Sequence, residues 1–508
     1  MTFDLSQPAG LMGALGPDIV LMVGAMALML FAAWRPESDA HQRTVGYASI
    51  GIIGLTAVAI AVYVLRHAAA SAPGGIIAVD GFRWAADGVF LLGAAATIAL
   101  GIESNPRDRV YTAESHVLVL FATSGMMIMG AARDLMIVFL GVELMSIAVY
   151  VLAGINRGSE KSAEGALKYF LLGAFSTAFL LYGIALIYGA TGTTNFAAIG
   201  ERITRFQVAG HGMLLIGIGL LLVGFAFKVA AVPFHMWAPD VYEGAPTPIT
   251  AYMAASVKAA AFAMFLRVWI EAFSILDVAW LSPVWWVAAA TMLVGNLVAL
   301  SQRNIKRMLA YSSIVHGGYL LVAVAAGTAT GASAFLFYAV AYTLATFGAF
   351  AVVNVMSRPG TTGAAISDFD GLWTARPWLA AAFGVCMLAL LGFPIFGGAG
   401  FFAKWYVLQA ALTSPHPLIA LSVVLVLTSV VSAGYYLHVV RVMFMRPRPD
   451  GAPEPARLTP LTRLVLVGSV SLLLILGLFP GSLATWARHH AVDTPLASRN
   501  PFVRVPID

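Results

Sequence analysis

Cysteine is all but missing from this sequence: Cys386 is the single one among 508 residues, and it lies in an apolar run. One thiol makes no disulfide and no CxxC pair, and it is too few for an iron–sulfur cluster or a cysteine-type zinc site. Charge is nearly as scarce. Asp, Glu, Lys and Arg make up 10% of the chain and hydrophobic residues 60%, against about 25% and about 45–50% in soluble domains. Lipid is therefore the solvent for most of this chain. The net charge of +5 comes from basic residues scattered through short loops rather than gathered in a stripe, which argues against nucleic acid as a partner. Also absent are an HExxH pair, a Walker A loop and a GxGxxG opening a soluble βαβ unit; no metal or nucleotide site is expected, and an ATP-driven pump is disfavoured. The N-terminus starts acidic and apolar (Asp4, Asp18), without the basic n-region or A-x-A site of a cleavable signal, so the first apolar run is expected to stay in the mature protein.

What the sequence has in abundance is apolar runs of helix length. About 20 mostly apolar residues cross a bilayer core of about 30 Å, and only helices and closed barrels satisfy their backbone there. The runs are too long for barrel strands. Spans are read near 18–34, 45–66, 84–102, 112–130, 134–154, 165–189, 212–238, 249–270, 282–300, 305–327, 332–356, 378–413, 417–442 and 461–484. The fold class is an all-α polytopic membrane protein with about fourteen transmembrane helices.

With the N-terminus outside, sixteen loop Lys and Arg fall on one side, Arg303, Lys306 and Arg307 among them, and nine on the other, Arg83 and Arg267 among them. The positive-inside rule places the sixteen in the cytoplasm and both termini outside. The remaining four basic residues, Lys168, Lys228, Lys258 and Lys404, lie inside spans.

Two spans are irregular. The seventh carries Pro233 in FAFKVAAVPFHMW, and the twelfth runs about 36 residues with LLGFPIFGGAGFFAKW, including Pro394, Gly397, Gly398 and Gly400, in its middle. Each proline removes a backbone donor and the glycines loosen the chain, so both spans are predicted to be discontinuous helices. They are five spans apart and thus run in opposite senses. Paired broken helices in opposite orientation point to an inverted-repeat transporter with its ion path near the midplane; ordinary proline kinks are the alternative.

Glu143 is the one carboxylate placed clearly in mid-span, about 14 Å along its helix from Asp134. Lys228 lies five residues before a break, and Lys258 and Lys404 each about nine residues from a span end. Four such charges cost roughly 10–14 kcal/mol on insertion scales, which calls for pairing, water or function. Structural pairing with freed carbonyls is one account. A proton relay is the other, since a lysine caught between desolvation and a nearby carboxylate can change protonation. Lys168 has Glu164 four residues earlier, a spacing suited to an interfacial ion pair. His235, His316 and Tyr311 are weaker relay candidates, each equally readable as a hydrogen-bonded structural group.

The stretches KVAAVPFHMWAPDVYEGAPTPITAYMAASVKAA, KRMLAYSSIVHGGYLL, LKYFLLGAFSTAFLLYGIALIYGATGTTN and GFPIFGGAGFFAKWYVL together resemble the antiporter-like membrane subunits of NADH:quinone oxidoreductase (respiratory complex I), over roughly residues 15–485. The HMWAPDVYEGAPTPIT tract, the lysine at 404 and the absence of a long lateral helix after the fourteenth span are similar to the subunit N branch. The resemblance implies two inverted five-helix repeats, 111–272 and 280–445, between N-terminal helices at 1–110 and a last helix at 458–486. It further implies that Glu143 pairs with Lys228 in one half-channel, that Lys258 links to the centre with help from His316, and that Lys404 faces the second half-channel. No cofactor is expected in this chain; NADH, FMN, iron–sulfur clusters and quinone would bind other subunits, with subunits K and M as neighbours. A subunit of a multisubunit Na⁺/H⁺ antiporter and a non-pumping scaffold of the membrane arm are the competing functional readings.

Overall fold

The computed structural model describes residues 6–67, 75–108, 110, 112–206, 210–357, 365–396, 398–450 and 455–492. Arg109, Arg358, Arg499 and Arg504 from the loop count, and Gly397 of the second break, lie outside the described residues. Among the described residues, strand-like pairing is confined to three isolated bridges. Twelve helices among the described residues are long and apolar enough to cross a membrane, and two shorter apolar ones, Gly212–Lys228 and Pro377–Leu391, stand where the broken spans are predicted. Together they make the expected fourteen.

The spans are not equivalent. Thr247–Ala272 is buried along its whole length, and Ile305–Ala326 and Ala329–Met356 nearly so, whereas Asp39–Arg66 and Pro460–Leu478 turn most of their apolar side chains outward. A helix that is apolar all round has no stripe to mark its inner face. Packing decides which spans are central, and the central ones carry Lys258 and His316.

The same order of elements occurs twice. Asp134 and Asn304 cap Leu135–Ala153 and Ile305–Ala326, each accepting from first-turn amides. Each cap residue also bridges to a residue 61 positions on, Asp134 to Asn195 and Asn304 to Ala365. A long helix lies inside each interval (Glu160–Thr191, Ala329–Met356), and a broken helix and another full helix (Thr247–Ala272, Ile419–Met445) follow it. Corresponding spans are five apart, which gives the inverted repeat.

At the first break the chain leaves Lys228, passes Ala230 at φ +55° and Pro233, and resumes as Trp237–Gly244. At the second, Gly392 (φ +78°) caps Pro377–Leu391 in the left-handed region open to glycine. The helix resumes as Gly398–Leu412. A side chain at Gly400 would put its Cβ 1.7 Å from the Ala389 carbonyl oxygen, so the two halves pass each other in backbone contact.

Three expectations are corrected. The last span stops at Leu478, short of 484, because Pro480 cannot donate into the preceding turn and instead starts a separate helix, Pro480–Val492. Arg83 and Arg267 are not loop charges: both are 0% exposed and ion-paired inside the bundle. Lys306 is likewise buried, donating to the carbonyls of Glu243 (3.0 Å) and Ala245 (2.5 Å) at the end of Trp237–Gly244.

Candidate functional site

Lys228 is the last residue of its helix, which leaves its ammonium at the break. It donates to the Ser146 hydroxyl at 2.7 Å and to the Tyr150 hydroxyl at 3.3 Å, both on Leu135–Ala153. Glu143 sits three residues, just under one turn, before Ser146 on that helix. Its charge reaches Lys228, but among the described residues no ion pair joins the two. The direct pair that the resemblance implies is thus replaced by a serine that holds the ammonium beside the carboxylate. Glu143 Oε1 is buried without a protein partner, and the residue is half-buried on a helix whose Leu140, Ile147 and Val151 are exposed.

Lys258 begins a new helical segment after a single π turn, Met253–Val257. Such turns widen a helix locally and free carbonyls. Its ammonium donates to the Ser313 carbonyl at 2.7 Å. His235, in the first break, lies within reach of the Lys258 charge, and its Nδ1 is buried without a protein partner.

Two small cavities continue from Lys258. One is lined by Lys258, Ser313, His316 and Tyr342, the other by His316, Tyr338, Tyr342, Gly400 and Ala403, next in sequence to Lys404. His316 is where they meet. Its Nδ1 contacts the Tyr338 hydroxyl at 2.5 Å and its Nε2 the Tyr436 hydroxyl at 3.0 Å, and the charges of both Lys258 and Lys404 reach it. Lys404 donates to the Leu391 carbonyl at 2.7 Å and the Ser429 hydroxyl at 2.8 Å, with its ammonium 4.9 Å from the Tyr319 ring centre.

Of the row Glu143, Lys228, Lys258, His316, Lys404, which is spread over both repeats, all but the half-buried Glu143 are buried. Its lysines are held by hydroxyls and carbonyls. The buried arginines of the same chain meet carboxylates instead, Arg83 with Asp18 and Arg267 with Asp80 and Glu271. A guanidinium cannot shed its proton and is best buried with a counter-ion. Burial without a counter-ion favours the neutral form of an amine, so neutral partners suit a group that must give its proton up.

Lys168 stands apart from the row. It pairs with Glu164 (2.6 Å) and Asp240 (2.8 Å), and Asp240 in turn meets Arg307 (2.7 Å), which bridges to Glu243 (3.0 Å). This ionic node ties the short helix after the first break to its neighbours. Tyr311 is half-buried and is not among the side-chain hydrogen-bond partners of His316, which are Tyr338 and Tyr436. The hydroxyls of Ser146, Tyr150, Ser429, Tyr338 and Tyr436 carry no signal in the sequence; only packing identifies them.

The family described as NADH:quinone oxidoreductase/Mrp antiporter, TM, matches residues 132–432. A relative named NADH-quinone oxidoreductase subunit N in Gemmatimonas aurantiaca is 50% identical, covering 98% of this chain and 96% of that protein. A protein of the same name in Trichlorobacter lovleyi is 44% identical over 93% and 95%. A chain in the structure of respiratory complex I from Thermus thermophilus with bound aureothin is 37% identical and superposes with a TM-score of 0.77, covering 92% of this chain and 98% of its own. A chain of the Mrp complex from Dietzia sp. DQ12-45-1b, 21% identical, shares the fold with a TM-score of 0.82 over 97% and 98%.

Proposed function

The chain belongs to the NADH:quinone oxidoreductase/Mrp antiporter family, in its subunit N branch, and from that premise we propose that it carries protons along the row Lys228, Lys258, His316, Lys404, with Glu143 setting the charge at its start. It is a membrane subunit of a respiratory enzyme complex and assembles with the other subunits of that complex. Its redox partners, NADH, FMN, iron–sulfur clusters and quinone, act in other subunits, and the membrane is a bacterial inner membrane with both termini on the periplasmic side. Within the loop count, Arg83 and Arg267 leave the nine (9 − 2 = 7) and Lys306 leaves the sixteen (16 − 1 = 15), so the bias that favours this orientation stays.

One observation carries the reading: the row lysines are buried on neutral partners while the buried arginines of the same chain are ion-paired. A scaffold has no use for three lysines that make no ion pair among the described residues, each charge costing roughly 2.5–3.5 kcal/mol in the bilayer. Residues 111–272 and 280–445 act as two half-channels, flanked by 1–110 and 458–486, and His316 joins them. Glu143 lies on a partly exposed face at mid-span, where a charge facing lipid is costly; a neighbouring membrane subunit, K on one side and M on the other, covers it.

The drive is electrostatic. Quinone chemistry elsewhere alters the hold of Glu143 on Lys228, and the proton passes from Lys228 through Lys258 and His316 to Lys404. Moving one charge against 100 mV costs roughly 2.3 kcal/mol, the scale of a swing of one to two pKa units at roughly 1.36 kcal/mol each. The test is proton uptake per NADH oxidised in vesicles bearing the assembled complex. Lys258→Ala lowers that ratio if the row conducts and leaves it at the native value if the subunit is only a scaffold; uptake that follows Na⁺ rather than NADH oxidation would favour the antiporter reading.

A further inference from the structure

Away from the lysine row, seven charged side chains gather where helix Gly81–Arg107 begins. Four are acids, Asp18, Asp80, Asp87 and Glu271, and three are arginines, Arg83, Arg133 and Arg267. Asp80 takes two hydrogen bonds from Arg267, at 2.8 and 2.9 Å. Glu271 meets Arg267 and Arg133, each at 2.8 Å. Asp18 meets Arg83 at 2.5 Å. Asp87 has no guanidinium of its own and shares Arg83 with Asp18 as a longer ion pair. Its nearest guanidinium atom, Arg83 Nε, is 3.6 Å away, too far for a hydrogen bond. Both of its carboxyl oxygens lack a protein partner, and the residue is 0% exposed.

Among the described residues, the surroundings supply no further cation. Gly16–Trp34 brings Asp18, Lys258–Ala272 brings Arg267, and Glu114–Ala131 brings Gly130, which has no side chain to offer Asp87. Helix Asp39–His67 sets Tyr63 against Trp84 and exposes Arg66. Ala329–Met356 carries no charged residue. Arg463 of Pro460–Leu478 lies at the opposite end of the Asp87 helix, where Glu103 accepts from the Thr462 amide. On Pro480–Val492, Arg488 and His489 are exposed and His490 turns back to the Trp486 carbonyl.

Four acids against three arginines leave one negative charge without a guanidinium of its own, at a depth where an uncompensated ion costs several kcal/mol. We infer that Asp18 and Asp87 form a proton-binding site around Arg83, in which the carboxylate that lacks the guanidinium holds one proton. In the present geometry Arg83 is on Asp18 and the proton is on Asp87. If Arg83 changes partner, the proton moves to Asp18 and the net charge stays the same, as in other carboxylate pairs that share a proton. The site lies in the N-terminal helices, outside both repeats, and does not depend on the lysine row conducting.

The experiment is infrared difference spectroscopy of the intact complex in its membrane, native minus variant, in H₂O and D₂O, with assembly followed by blotting. The expected result is a deuterium-sensitive carboxylic C=O band present in native protein and lost in Asp87→Asn. The same band is lost in Asp18→Asn, because Arg83 is then free to pair with an ionised Asp87. Both variants assemble, since asparagine matches the neutral acid in shape. Three outcomes overturn the inference. Failure of either variant to assemble shows that both carboxylates are required as ions. A band that survives in Asp18→Asn shows a proton held by burial alone, not shared. Absence of the band from native protein shows an ionised Asp87, neutralised by a bound cation.

Discussion

Lys404 donates a 2.7 Å hydrogen bond to the carbonyl of Leu391, the last residue before the break in its own span. The break therefore does two jobs: it frees a carbonyl, and it leaves space for the lysine stem beside Gly392, where an added Cβ would lie 3.1 Å from Lys404 Cδ. Arginine keeps the charge at this position but cannot be deprotonated. Lys404→Arg is expected to assemble and lose most proton pumping, whereas Lys404→Glu, which can titrate, retains more. Proton uptake per NADH in vesicles decides it; an arginine variant that pumps at the native ratio removes Lys404 from the path.

At the other end of the row, Ser146 stands between Glu143 and Lys228, holding the ammonium at 2.7 Å. A hydrogen bond to a charged group contributes roughly 1.5–3 kcal/mol. Ser146→Ala keeps both charges and the packing of a small residue, so the subunit is expected to assemble with pumping reduced about tenfold or more. Ser146→Thr, which preserves the hydroxyl, restores part of it. Equal pumping in the alanine and threonine variants would mean that the carboxylate acts on the lysine without this link.

How much of this was legible in the sequence follows from what each signal measures. Lys228, Lys258, Lys404 and Glu143 are visible because a charge in an apolar run has no bland surroundings to hide in, and the breaks are visible because Pro233, Pro394 and their glycines remove donors and restraint. Arg83, Arg267 and Lys306 read as loop charges in the sequence because they lie within a few turns of helix ends, where a hydropathy window cannot see the partner that comes from another helix. Tyr311 is a weaker relay candidate in the sequence, and five residues along a helix turn a side chain by about 140° relative to His316. Tyr319, three residues on, packs on the histidine at 5.6 Å instead. The hydroxyls that hold the row are brought from Leu135–Ala153, Ala329–Met356 and Ile419–Met445, and no local pattern encodes that meeting.

Asp80 offers a prediction in pH. It lies just before its helix, where burial alone would push its carboxyl up, and the Arg267 guanidinium more than offsets that and holds it below the usual carboxylate range. A depressed value means stability that is fully present above the unfolded-state value of about 3.9 and is lost as pH falls through the folded one. Asp80→Asn leaves Arg267 with one carboxylate fewer, and breaking a buried pair costs about 3–5 kcal/mol. The variant complex is expected to melt well below the native one at neutral pH, with the gap narrowing as the pH drops below about 4. A gap that is the same at both ends of that range would assign the loss to packing.

The centre of the row gives the most discriminating test. His316 is bonded on one ring nitrogen to Tyr338 and on the other to Tyr436, and it stands where the cavities from Lys258 and from the Lys404 side meet. A neutral imidazole donates from one nitrogen and accepts at the other, so it can pass a proton by taking one and releasing another. Glutamine offers a donor and an acceptor of similar reach but does not titrate near neutral pH. If His316 is a fixed hydrogen-bonding post, His316→Gln pumps normally. If it carries the proton, the same variant assembles, oxidises NADH and moves fewer protons per NADH, because the step between Lys258 and Lys404 is interrupted. Tyr436→Phe removes one hydroxyl partner while leaving the histidine able to titrate, and it is expected to lower pumping less than His316→Gln does. The reverse order, with the phenylalanine variant the more damaged, would place the transfer on the tyrosine and make the histidine its support.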